Sequence, residues 1–418
     1  MNSMSKLSRR VFLATSAGAF VRGATADTPA VPAAIRNLTP MTGGIEPVSY
    51  QEREARIEKA RRLMREHDLG AVLMETGSSM FYFTGTRGSS SDPTALVLPA
   101  RGEAVWILPT STDATARPKL RGSDVRTWSG EDGAQKAIVQ ALKDRGVTAG
   151  KIGIEERVRF DLVDGIRKES PALQLTSADP VIAGCRMIKS PAELALMQRA
   201  NDITIACYRA AFASLREGMT QHELSALVST AYQALGVTGD GMAIFGKYTA
   251  YPHGSIQPQK LQEGDVVLVD DGCSVEGYQS DITRTVVFGK PTARQREIWN
   301  LERQAQDAAL AAAQPGATCE SVDAAARGVI NRHGFGPGYK LPGLPHRTGH
   351  GIGLDIHEWT YLVRGNQTKL QPGMCFSDEP TIAIPGEFGV RLEDCMYITD
   401  NGARMFTKQS PSIDQPFG

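Results

Sequence analysis

The stretch "LVDDGCSVEGYQSDITRT", Leu268–Thr285, sets Asp270, Asp271, Glu276, Asp281 and Arg284 into a run otherwise patterned as a buried hairpin. "DVVLVDDG" is β-branched and ends at a turn, and "GYQSDITRTVVFG" returns. With the turn centred between Val275 and Glu276, Asp270 and Asp281 become direct cross-strand partners, with Cβ atoms roughly 4.5–5.5 Å apart. Two carboxylates that close repel, and one should take up a proton. A cation between them removes the conflict. Read alone, the hairpin fits either solvated carboxylates or a bound cation, and its apolar flanks favour the cation.

The C-terminal third holds candidates to complete such a site. "HRTGHGIGLDIHE" carries His346, His350 and His357, three of the seven histidines of the chain. "GMCFSDEPTI" places Glu379 in an extended segment before Pro380. "GVRLEDCMYIT" places Arg391 and Glu393 on one face of a strand, with Leu392 on the other. Each motif is weak by itself. Together Asp270, Asp281, His350, Glu379 and Glu393 carry about four negative charges, which balances two divalent ions about 3.5–4 Å apart bridged by carboxylates and water. Hard oxygens with one imidazole suit Mn²⁺, Co²⁺ or Zn²⁺.

Further upstream, strands alternate with helices. The sequence predicts a helix over "SYQEREARIEKARRLMREHDLG" closed by Gly70, a strand at "AVLMETG" and a hairpin turning at Ala100-Arg101-Gly102. A helix at "GAQKAIVQALKDRGV", a strand at "KIGIEE" and a helix at "RFDLVDGIRKES" follow, the pattern of an α/β domain. Ser190 with Glu193, Thr220 with Glu223, and Thr292 with Gln295 each have capping-box spacing at a helix start. Helix pair, glycine-rich segment with histidine, then strands thus occur twice, in 190–290 and 292–400, a structural pseudo-repeat with an α+β pattern.

With 418 residues and 46 basic against 46 acidic side chains, nothing in the charge points to nucleic acid or an anionic membrane surface. Lys6, Arg9 and Arg10 precede an apolar run from Val11 to Val21 and a small-residue site, Ala24-Thr25-Ala26. "SRRVFL" is similar to a twin-arginine export signal, so residues 1–26 are expected to be removed and the mature chain to be periplasmic, without stable membrane insertion. Residues 27–45 are read as a linker. The six scattered cysteines, none in a CxxC, are expected as buried free thiols.

Taken with "GHGIG" at His350, "DEP" at Glu379, "RLED" at Glu393 and the linker-like "RMIKSPAELALM", the acidic hairpin resembles the pita-bread metallopeptidases. That group includes methionine aminopeptidase, Xaa-Pro dipeptidase (prolidase) and aminopeptidase P, with creatinase as a metal-free relative. The resemblance covers about residues 46–418. It implies a creatinase-like α/β domain over 46–188. A catalytic α+β pita-bread domain over 189–418 follows, with a curved antiparallel sheet in pseudo-two-fold halves. By the same resemblance, Asp270 and Asp281 bind both metals, Glu393 bridges them, and His350 and Glu379 bind one. Mn²⁺ is placed first, with Co²⁺ or Zn²⁺ as alternatives. His253 in "YPHGS" would contact substrate and shuttle protons, His357 would stabilise the tetrahedral intermediate, and His346 would line the proline pocket. Arg391 would either meet substrate or pair with Asp281 or Glu393. The implied substrate is a short proline-containing peptide cut by a dipeptidase. Aminopeptidase P action, or a non-peptide amide or organophosphate hydrolase on the same site, is the alternative. A homodimer is expected, in which the N-terminal domain narrows the cleft or caps that of its neighbour.

Overall fold

The structure, a computed structural model, describes residues 31–88, 92–120, 122, 124–130 and 133–417. The expected export signal lies outside them. Among the described residues, no helix is long and apolar enough to cross a membrane.

The N-terminal half is built on a six-stranded sheet. Its strands are β1 (Leu69–Glu75), β2 (Ala95–Pro99), β3 (Val105–Pro109), β4 (Val125–Trp128), β5 (Gly150–Ile154) and β6 (Leu173–Ser177), in the order β4-β3-β2-β1-β5-β6. The hairpin β1-β2-β3 is antiparallel, and β4, β5 and β6 join in parallel. The central strands are buried on both faces, which is why they read as unbroken apolar runs. Val72, Met74, Leu96 and Leu98 pack on one side with helices Tyr50–Glu66 and Asp179–Arg186. Ala71, Leu73, Val97 and Ile107 pack on the other, against helices Gly133–Asp144 and Phe160–Glu169.

Two expectations need correction here. The helix from Tyr50 ends at Glu66, and its chain turns at Asp68 with φ 56°, so Gly70 lies inside β1 instead of closing the helix. The described part of the expected linker is packed chain. A short helix, Ala33–Arg36, buries Ile35, and Met41 is tied by its N–H to the Leu235 carbonyl and by its own carbonyl to Arg199.

The C-terminal half repeats one plan. Helices Pro191–Phe212 and Gln221–Ala234 precede a sheet of β7 (Met242–Phe245), β8 (Val266–Asp270) and β11 (Arg284–Val287), ordered β11-β8-β7. A two-residue pair, β9 (Ser274–Val275) and β10 (Tyr278–Gln279), extends that hairpin. Helices Ala293–Ala312 and Cys319–Arg332 precede β12 (Gly349–Gly351), β13 (Glu358–Leu362), β14 (Cys375–Asp378), β15 (Thr381–Ile384), β16 (Phe388–Arg391), β17 (Asp394–Thr399) and β18 (Gly402–Met405). The second sheet runs β13-β12-β14-β17-β18, with β15-β16 as a separate hairpin. Capping boxes open the helices at Pro191, Gln221 and Ala293, as the i, i+3 spacing predicts. All six cysteines are buried and unpaired.

The register of the acidic hairpin differs from the sequence-based expectation. Val275 pairs with Tyr278 and Val269 with Arg284, so the turn is Glu276-Gly277, one position later than expected. Both turn residues have positive φ, 49° and 86°, which gives a two-residue loop whose twist matches the strands. Asp281 therefore falls opposite Gly272, and Asp270 falls opposite Thr283. The two aspartates are diagonal neighbours, not direct partners. Gly272 is needed at this crossing, because a Cβ there would sit 2.0 Å from the Ser280 carbonyl oxygen. Gly272→Ala should therefore destabilise the protein by roughly 1–3 kcal/mol through overpacking, read as a lowered urea midpoint; an unchanged midpoint would refute the close approach.

Candidate metal centre

The hairpin and the second sheet bring the expected ligand residues together from distant parts of the chain. Asp270 ends β8, and Asp281 lies in the irregular return before β11. His350 is the middle residue of β12, Glu379 follows β14, and Glu393 sits between β16 and β17. Ligand atoms of Asp281, His350 and Glu393 all lie within 4.8 Å of one another. The His350 Nε2 is 3.4 Å from Asp281 Oδ2 and 3.2 Å from Glu379 Oε1. Asp270 joins the group through Thr283, whose hydroxyl lies 2.7 Å from Asp270 Oδ1 and 2.6 Å from Glu393 Oε2.

The electrostatics are those of a cluster short of positive charge. Burial, reinforced by Asp270 and Glu379, pushes Asp281 up to about 6 despite its bond to His350. Burial and three neighbouring carboxylates push Glu393 well above the usual range. Burial alone would lower His350, but hydrogen bonds to Asp281 and Glu379 outweigh it and raise it to about 10. Burial would likewise raise Glu379, but His350 holds it low. One imidazole proton thus serves two carboxylates, and the Glu393 Oε1 is buried with no partner at all. An oxygen-rich donor set with an orphaned lone pair and one imidazole fits divalent cations.

Arg391 pairs with Asp270 Oδ2 in a very short contact. The expected partner, Asp281 or Glu393, is corrected accordingly. Its Nε donates to Thr283 Oγ1 at 3.0 Å and its Nη1 to the Pro252 carbonyl at 3.1 Å, which ties the His253 loop to the site. Thr283 and Ser377 are the residues that sequence reasoning missed. Ser377 Oγ donates to Glu379 Oε1 at 3.1 Å and accepts from the His350 N–H at 3.0 Å. Small hydroxyl residues carry no local signal, although Thr283 stands two positions from Asp281 in the return before β11.

A cavity of about 360 Å³ opens on the cluster, lined by His253, Tyr339, His346, Arg347, His357, Val363, Glu379 and Arg391. The His357 ring meets that of His350 edge-on, with centroids 4.2 Å apart. Burial, then the charges of His350 and Arg347, lower His357 to about 4, so it is neutral at pH 7 with one N–H to donate. His346 lines the same cavity, but both its nitrogens are engaged. Nδ1 faces the Arg347 carbonyl at 2.7 Å, so it carries the proton, and Nε2 accepts from Thr381 Oγ1 at 3.0 Å. It therefore offers the cavity an oriented ring rather than a free donor. His253 is exposed on its loop.

A buried acid-and-imidazole cluster beneath a histidine-lined cavity, on a repeated α+β domain behind an α/β domain, defines a metal-dependent hydrolase. Residues 195–400 match the model of metallopeptidase family M24, and residues 56–188 match the creatinase/prolidase N-terminal domain. The chain is 31% identical over 356 residues to the Xaa-Pro dipeptidase of Pyrococcus furiosus, covering 84% of this chain and 97% of that one. It is 37% identical over 369 residues to the Xaa-Pro dipeptidase of Lactobacillus delbrueckii subsp. lactis, covering 85% and 98%. The solved dipeptidase PepE of Mycobacterium ulcerans superposes with a TM-score of 0.81 at 30% identity, covering 87% of this chain and 97% of that one. The chain belongs to metallopeptidase family M24, and is a peptidase that depends on divalent metal.

Thr283→Val keeps the shape of the strand but removes the hydroxyl shared by Asp270, Glu393 and Arg391. It should weaken divalent-ion binding roughly 10–100-fold, measured by chelator competition; wild-type affinity would show that the hydroxyl is dispensable.

Proposed function

We propose that the chain is an Xaa-Pro dipeptidase carrying two divalent ions held by Asp270, Asp281, His350, Glu379 and Glu393. The observation that carries this is the convergence of those side chains on one cavity with His253, His346 and His357. The dipeptidase names of relatives covered almost end to end support the substrate class. Mn²⁺ is our first choice of ion, before Co²⁺ and Zn²⁺, because most of the donors are hard oxygens. When bound, such ions lower the pKa of a coordinated water and polarise a carbonyl.

The chain's own groups do the rest. Glu379 accepts a proton from the attacking water. His357, neutral at pH 7, donates a hydrogen bond where oxyanion charge develops. His253, on its exposed loop, meets the substrate and passes a proton to the leaving prolyl nitrogen, which as a tertiary amide has no N–H of its own. Arg391 holds Asp270 in place, and the ring of His346 forms the wall for proline. The N-terminal domain narrows access to the cavity, in a homodimer, and so favours short peptides.

We also propose that residues 1–26 are a twin-arginine signal and that the mature enzyme is periplasmic. The support is the order of paired arginines, apolar run and Ala24-Thr25-Ala26. Protein recovered from a periplasmic fraction should start at Asp27 by N-terminal sequencing. An intact N-terminus there would reject cleavage after Ala26.

Activity is tested with Ala-Pro and Ala-Pro-Ala in Mn²⁺, Co²⁺ and Zn²⁺ in turn. Ala-Pro should be cut faster, and Asp281→Ala should lose both bound metal and turnover by about 100-fold or more. Equal rates on the two peptides would reject a dipeptidase, and full activity of Asp281→Ala would reject the metal site.

A further inference from the structure

Resting on the metal-centre reading, we propose that a strap of chain outside both family domains, residues 38–45, positions the acidic hairpin from behind and so raises its affinity for divalent ions. The matched domains span 56–188 and 195–400, and the strap precedes both. It is nonetheless packed. Ile35, in the short helix before it, is 1% exposed, and that helix lies on helices Pro191–Phe212 and Gln221–Ala234. Leu38, Met41 and Ile45 join the same apolar core.

The strap grips one short loop. Residues 235–240, "LGVTGD", lead from the second of those helices to β7 and hold two glycines, so contacts rather than local stiffness must fix them. The Met41 N–H donates to the Leu235 carbonyl at 2.9 Å. The Met41 carbonyl accepts from Arg199 Nη1 at 2.8 Å. Pro40 and Thr42 lie against Gly236, which has φ 89°, and a Cβ there would stand 3.2 Å from the Thr42 methyl.

The far end of the same loop holds the hairpin. Gly239 bridges to Cys273. The Asp240 N–H donates to the Gly272 carbonyl at 3.1 Å, and the Ser274 N–H donates to the Thr238 carbonyl at 3.4 Å. A Cβ on Gly239 would sit 2.7 Å from the Gly272 oxygen, so the two backbones touch. Gly272 lies two positions beyond Asp270 and opposite Asp281. Those two carboxylates repel before an ion arrives and push their strands apart. A fixed backing on the Gly272 strand resists that push and holds the ligands ready, so less order has to be created on binding. Met41 and Arg199 thus act as positioning residues, through the loop and the hairpin backbone.

The test uses the full chain, with chelator competition for Mn²⁺, Co²⁺ and Zn²⁺ in turn and thermal unfolding of the metal-free protein alongside. Arg199→Met removes the donor to the Met41 carbonyl, and Met41→Pro removes the N–H that reaches Leu235. Each should weaken ion binding roughly 3–30-fold. Arg199→Lys, which can still donate to the Met41 carbonyl, should restore most of the loss. Ile35→Ala is the control for packing alone: it should lower the unfolding temperature and leave ion affinity at the wild-type value. Wild-type affinity in Arg199→Met, or an equal loss in Ile35→Ala, would show a strap that only stabilises the fold and overturns the proposal. If wild type binds none of the three ions, the metal-centre reading falls, and this inference with it.

Discussion

Buried negative charge is the constraint around which this molecule is arranged. Asp281, His350 and Glu393 are each 6% exposed or less, and Asp270 and Glu379 stand against them. Carboxylates taken out of water need a counter-charge, a donor or a proton. The chain itself supplies little. Arg391 serves Asp270, Thr283 has one hydroxyl proton for two acceptors, and His350 has one N–H for two more. What is missing is positive charge of small size at the centre, and divalent ions supply it. The same shortage that would weaken a purely structural core makes an affinity for metal.

Holding such a site open requires that its surroundings resist collapse. The backbone does much of this. Gly272 and Gly349 lie where a Cβ would run into the carbonyls of Ser280 and Ser377, so strands approach there more closely than side chains allow. Hydroxyls of Thr283 and Ser377 fix the rotamers of acids that repel each other. The N-terminal domain contributes from outside. Arg186 and Lys189, at the junction of the domains, grip Glu358, and Arg186 also grips Asp355. Asp355 is held further by Ser78 and by Arg157, which belongs to the N-terminal domain. His357 lies between these two anchored acids. Buried ion clusters of this kind add little net stability but punish any other geometry. The position of the His357 loop is thus specified by contacts to both domains.

Features that depend on neighbours in sequence were legible. Capping boxes need only residues i and i+3, and the helices at Pro191, Gln221 and Ala293 start where those pairs stand. The sheet face shared by Arg391 and Glu393 was legible because alternation is local, and Leu392 is indeed fully buried on the opposite side. The hairpin register was not, because it depends on Glu276 accepting positive φ, which an Asn or Asp would have advertised and Glu does not. The error did no harm to the site for a physical reason. Moving the turn centre by one residue moves every cross-strand partner by two, and a shift of two preserves the face. Asp270 and Asp281 remain on the same side, diagonal instead of opposed. The roles of Thr283 and Ser377 were hidden, since Thr283 meets Glu393 and Ser377 meets the His350 N–H from distant parts of the chain.

The distribution of arginines around the cavity carries the last step. Arg391 and Arg186 are each 3% exposed and each is paired with buried or half-buried carboxylates. These two arginines therefore belong to the architecture of the acids. The acids of this protein are balanced in part by fixed arginines, and the charge still missing at their centre is what divalent metal would supply.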